Sequence, residues 1–176
     1  MPHTIRLRGP WEYQPLARAT LLADGSVSRD DRDLPAGGTI VMPGDWGAVL
    51  GSDFRGLVRF TRRFALPTGL DASTRVWLVI EDVDWQGTVV LNDHWLGDVQ
   101  LAQTPPARCL SVAPTLRPSI SPPTPCPARF AITPHLQPRN LLTIDVLKSP
   151  TAAGPGWTTQ PGGLIGLVRL EIVASA

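Results

Sequence analysis

Lysine is nearly missing from this chain. Lys148 stands alone beside fifteen arginines, and the acids bring the formal net charge to +1. That balance removes the electrostatic attraction to nucleic acid or to an acidic membrane surface. The bias toward arginine fits GC-rich coding and carries no functional weight. Long apolar runs are missing as well. The opening MPHTIRLRGPWEY has no core of signal-peptide length, and no stretch approaches the ~20 residues of a membrane span. The expectation is a soluble, cytoplasmic protein with no nucleic-acid or membrane partner, a trimmed export signal remaining open.

Cysteine is scarce. Cys109 and Cys126 flank a proline-rich segment and could clamp it in an oxidising compartment; two unpaired thiols in a reducing cytosol is the plainer reading. His3, His94 and His135 are scattered without metal-ligand spacing, and Ser111, Ser119 and Ser121 have no G-x-S-x-G context. No cofactor, metal site or catalytic nucleophile is expected. No segment carries the period of a helix of three turns.

What the chain does have is strand pattern. At 176 residues, 43% hydrophobic and 18% charged, it suits one domain spanning 1–176 with a core of its own. Its centre is Arg75 to Gly97, RVWLVIEDVDWQGTVVLNDHWLG, where Val76, Leu78 and Ile80 alternate with Trp77, Val79 and Glu81. Val89 to Leu91 ends at Asn92-Asp93, a pair that tolerates the positive φ of a two-residue hairpin. In Gly56 to Leu66, Val58, Phe60, Phe64 and Leu66 share one parity and Leu57, Arg59, Thr61, Arg63 and Ala65 the other. Arg62 breaks the apolar parity, which implies a bulge or an arginine crossing the buried face toward a partner such as a carboxylate.

Leu7 to Tyr13 reads as an opening edge strand, and Leu21 to Gly38 as a solvated hairpin or loop. Asp45 to Asp53 reads as a loop, and Ala128 to Ile132, Asn140 to Leu147 and Leu164 to Val173 as further strands. Ten of the nineteen prolines fall between Gln103 and Pro138, so 102–127 is expected to be an insertion without helix or central strand. Eight or nine short strands separated by turns make an all-β, antiparallel jelly-roll β-sandwich.

Several motifs recur in a colinear order: Gly9-Pro10-Trp11, Pro43-Gly44-Asp45-Trp46, Phe54-x-Gly56, Arg62-Arg63-Phe64-x-Leu66-Pro67, Glu81-Asp82-Val83-Asp84, Val90-Leu91-Asn92-Asp93, Leu96-Gly97, Phe130-x-Ile132-Thr133, Asn140-Leu141-Leu142-x-Ile144, Trp157 and Gly163-Leu164-Ile165. This order resembles the N-terminal sugar-binding domain of glycoside hydrolase family two, the β-galactosidase and β-glucuronidase group. The resemblance implies a galactose-binding-like fold and an ancillary role, because the catalytic carboxylates of such enzymes lie in a separate barrel domain.

Sugar recognition uses aromatic rings against the C–H face of a pyranose and polar neighbours for its hydroxyls. Trp46, Trp85, Trp95 and Trp157 are expected on loops or turns, and Asp84, Asn92 and His94 cluster in sequence with Trp85 and Trp95. These seven are the candidate ligand-binding residues, for a glycan or oligosaccharide. The opposing reading makes the rings plugs of the sandwich ends. A calcium site from Asp82 and Asp84 is a lesser option. Trp77 points elsewhere: its strand is apolar on both parities, so its second face calls for cover from the proline-rich insertion, a second copy or a glycosidase subunit.

Overall fold

The computed structural model describes residues 3–24, 26–83, 86–100, 127–148, 162–164 and 166–174. They form β1 (His3–Arg6), β2 (Trp11–Leu21), β3 (Val27–Asp30), β4 (Gly38–Ile40), a one-turn helix α1 (Gly47–Leu50), β5 (Gly56–Ala65), β6 (Thr74–Ile80), β7 (Gln86–Leu91), β8 (His94–Gln100), β9 (Ala128–Ala131), a 3-10 turn (Thr133–His135), β10 (Arg139–Lys148) and β11 (Val168–Ala174). The four-stranded sheet runs β1-β11-β6-β9. The seven-stranded sheet runs β3-β2-β5-β10-β7-β8, with β4 also on β2. Every pairing is antiparallel. The fold is the all-β antiparallel sandwich that the alternating sequence implies.

Alternation decides which side chains meet between the sheets. Val58 and Phe60 of β5, Leu142, Ile144 and Val146 of β10, and Val89 and Leu91 of β7 face Val76, Leu78 and Ile80 of β6 and Val168 and Leu170 of β11; all are buried in one cluster. Trp11 is sealed beneath them, its indole donating to the Leu7 carbonyl at 2.7 Å.

Three sequence expectations shift. Leu7 to Tyr13 is not one strand: the chain turns at Gly9, whose φ of 141° excludes a side chain, and β1 ends before it while β2 begins after it. Asp45 to Asp53 contains α1. Arg62 lies in an unbroken β5–β10 register opposite Leu142, so no bulge accommodates it. It crosses the buried face, and its Nη1 donates to the Pro10 carbonyl rather than to a carboxylate. Its Nε is buried with no partner among the described residues. The expected insertion at 102–127 lies almost wholly outside the described residues, as do Cys109 and Cys126.

Candidate functional site

The outward faces of the two sheets differ, and among the described residues each carries one tryptophan, Trp95 on the seven-stranded sheet and Trp77 on the four-stranded one. On the seven-stranded sheet the register aligns Gln14, Arg59, Asp145, Thr88 and Asp98 in one row across five strands. Arg59 grips Asp145 bidentately, at 2.8 and 2.7 Å, and Thr88 donates to Asp98 at 2.8 Å. The Asp145 hydrogen bond holds the Arg59 guanidinium above its ordinary range, against partial desolvation. The neighbouring row is Glu12, Thr61, Thr143, Val90 and Trp95. Trp95 is 66% exposed and sits opposite Val90 on this outer side.

Beyond that row lie Arg63 opposite Leu141 and Ala65 opposite Arg139. With Phe64 and Asn140 these line an open cavity of about 460 Å³. A second hollow, of about 330 Å³, lies between Tyr13, Gln14, Gly37, Gly38, Arg59 and Thr61.

The four-stranded sheet presents the opposite picture. Arg129 lies over the Trp77 ring, 5.1 Å from its centroid, and bonds Glu171 at 2.8 Å. Glu171 also takes Arg169 at 3.0 Å, and Arg169 reaches on to Glu81. The chain Arg129–Glu171–Arg169–Glu81 therefore roofs Trp77 and the fully buried Val79. Among the described residues, the stem of Arg129 and its ion pairs partly cover this second face, and Trp77 stays half-buried. Glu81 and Glu171 share a cavity of about 520 Å³ with Thr4, Arg6, Leu167 and Arg169. Glycoside hydrolysis needs two carboxylates free to flank a sugar, roughly 5 to 9.5 Å apart. Here one guanidinium bonds to both, filling the space a sugar oxygen would need.

The seven candidate ligand residues separate. Asp84, Trp85 and Trp157 lie outside the described residues, which also leaves the calcium option without a geometry. Among the described residues no three His, Cys, Asp or Glu side chains gather as a metal site. Trp46 is a core residue, 2% exposed, stacked on Phe60 at 6.2 Å and edge-on to Phe54 at 5.9 Å. Gly162 closes over it, since a Cβ there would fall 2.2 Å from the indole nitrogen. A ring held this way offers no face to a sugar, so Trp46 leaves the candidate surface.

Asn92 does stand at the hairpin tip, with a φ of 50°. Its amide donates to the His135 carbonyl at 2.8 Å and to Asn140 Oδ1 at 2.9 Å, and its oxygen accepts from the Leu141 backbone at 2.8 Å. Both of its amide hydrogens are used, so Asn92 latches the hairpin to β10. His94 alternates away from Trp95 and meets His135, ring centroids 4.7 Å apart. Trp95 alone of the seven stands open on a sheet face among the described residues. Thr88 and Asp98 beside it, and Arg59, Asp145, Arg63, Leu141 and Arg139 farther across the same outward face, are not among the seven candidates. Their signal was the outward parity of β5, β10, β7 and β8.

No protein-family model matches the sequence, and no curated protein matches it. Solved structures do. The chain is similar over 99% of its length to the FMN-binding β-glucuronidase of Facaelibacterium prausnitzii L2-6, with 20% identity and a TM-score of 0.65, covering 23% of that chain. It is similar over 98% to the Bifidobacterium dentium β-glucuronidase complexed with coumarin-3-O-glucuronide, at 19% identity and a TM-score of 0.64, covering 30%. A β-galactosidase-like protein of Bacteroides fragilis matches over 98% at 14% identity with a TM-score of 0.61, covering 23%. The chain thus spans less than a third of the length of each of these structures, and it has the fold of one segment of these glycosidases.

Proposed function

We propose that the chain is a carbohydrate-binding module without hydrolytic chemistry in its sandwich, and that it binds a glycan on the outward face of the seven-stranded sheet. The observation that carries this reading is Trp95, 66% exposed on a sheet face whose neighbours are hydroxyls, a carboxylate and a bidentate Arg–Asp pair. A large ring in water beside ordered donors and acceptors is the arrangement that sugar recognition requires. The fold likeness to segments of glycosidases supports a saccharide as the ligand. A glycan array followed by calorimetry tests it. Binding to one glycan class, weakened at least tenfold in Trp95→Ala, is expected; unchanged affinity in that variant overturns the site.

A second reading has one observation in its favour. Because the chain matches only 23–30% of the length of those glycosidases, the same fold can serve as the accessory part of a larger assembly, or as a homo-oligomer, with no sugar affinity of its own. A blank array together with a solution mass above that of one 19.0 kDa chain would favour it.

A further inference from the structure

His94 and His135 are far apart in sequence, yet the fold seats them side by side, ring centroids 4.7 Å apart and planes tilted by 37°. Their backbones are fixed from several sides. His94 pairs with Leu91 to close the β7–β8 hairpin, directly after Asn92 and Asp93, both at positive φ. His135 ends the 3-10 turn, where its amide donates to the Ile132 carbonyl at 2.9 Å. That turn is anchored to β6, since Thr133 Oγ1 accepts from the Val76 amide at 2.8 Å. The Asn92 latch joins the two supports, because its amide donates to the carbonyl of His135 itself at 2.8 Å.

The rings, by contrast, are not engaged by polar groups. Neither imidazole has a hydrogen bond or an ion pair among the described residues, and each has the other ring as its neighbour. His94 is exposed and His135 half-buried. A structural histidine ordinarily spends a ring nitrogen on a carbonyl or a carboxylate. Here the nitrogens are left for another partner, and neutral imidazole is the commonest side-chain ligand of transition metals. Two nitrogens on one ion stand at most ~4.2 Å apart, twice the ~2.1 Å bond. Rings with centroids 4.7 Å apart come within that span by turning about χ2, a soft torsion in histidine.

We propose that His94 and His135 form a two-histidine site for a divalent transition-metal ion of the Ni²⁺, Cu²⁺ or Zn²⁺ class. Among the described residues no third His, Cys, Asp or Glu joins the pair, so water fills the rest of the coordination shell. Two protein ligands are fewer than the three or four of catalytic and structural zinc sites, so the ion exchanges readily. When bound, it clamps the hairpin tip to the turn ahead of β10, beside the Asn92 latch. His94 alternates away from Trp95, so metal binding is independent of the sugar-binding face.

The test is a titration of the full chain with Ni²⁺, followed in nitrogen-15 spectra at mildly alkaline pH, where imidazole is neutral. The paramagnetic ion is expected to broaden both imidazoles and the amides of Asp93, His94, His135 and Leu136 before any others. His94→Asn and His135→Asn should each weaken that binding at least tenfold. In each variant the ring that remains should lose its broadening at the same Ni²⁺ concentration, the mark of one ion held by both. A remaining ring that broadens as before means two separate imidazoles and overturns the site. So does broadening that spares both rings, as in capture by His3 or the cysteine thiols alone. The spectrum of each variant reports whether the fold is kept; should His135→Asn unfold the chain, His94→Asn decides, since His94 is exposed.

Discussion

Trp77 and Trp95 occupy comparable places, each on the outward side of a sheet, and have opposite fates. Trp77 faces Glu171 across one ladder, and one position along its strand pairs with both Arg169 and Arg129. Alternating charges at that spacing bond one another and lay their stems across the ring. Trp95 faces Val90, and the charged groups nearest in the rows, Asp98 and Asp145, are engaged by Thr88 and Arg59 within the plane of the sheet. Nothing among the described residues is left to cover the ring. Exposure of a sheet tryptophan is thus decided by whether its cross-strand neighbours can bond over it, more than by its place in the strand.

The widest test of that contrast adds a third ring, sealed from all sides. Trp46→Ala is expected to cost ~3–5 kcal/mol in urea denaturation, the range for emptying a buried aromatic site. Retention of full stability would contradict its place between Phe54 and Phe60. Trp95→Ala should behave in reverse, leaving stability within ~0.5 kcal/mol while glycan affinity falls by tenfold or more.

A smaller effect is expected from Glu171→Gln, which cuts both the Arg129 and the Arg169 contacts. A loss of ~1 kcal/mol, with a shift of the Trp77 indole resonance and no change in sugar binding, would show that the roof belongs to stability alone. An unmoved Trp77 signal would mean that the ring is covered by something else.

The smallest effect concerns the turn that leads into β6. Hydrogen bonds from Thr74, then Ser73, hold the Asp71 carboxylate below its ordinary range. A lowered folded-state value stabilises above the unfolded-state value and is lost as pH falls through the folded one. Asp71→Ala should therefore lower the melting temperature slightly at neutral pH, and the difference should close on acidification below about pH 4. A constant difference down to pH 2 would contradict the hydrogen-bonded carboxylate.

Much of this architecture was legible because β-strands advertise themselves by period. The inward set of β10, Leu142, Ile144 and Val146, and the hairpin at Asn92-Asp93 both stand where alternation and turn chemistry put them. The break at Gly9 was hidden, since Pro10 reads equally as an edge-strand proline and as the start of a turn. The site was harder to read. Trp46 sits in a loop by sequence, yet Gly162, more than a hundred residues away, closes over it. Asn92 is a turn residue and a ligand candidate by sequence, but its bonds run to His135 and Asn140, a contact no local pattern carries. The row Gln14–Arg59–Asp145–Thr88–Asp98 exists only after five strands have found their register; the sequence held its outward parity but not its assembly.

One measurement bears on the central claim most directly: mapping of nitrogen-15 shifts on the assigned chain during titration with a glycan that binds. The account expects the Trp95 indole and the amides of Val90, Asp98 and Thr143 to move together, with Trp77 and the β6–β11 amides still. Shifts confined to β6 and β11, or binding that leaves Trp95 unmoved, would contradict it.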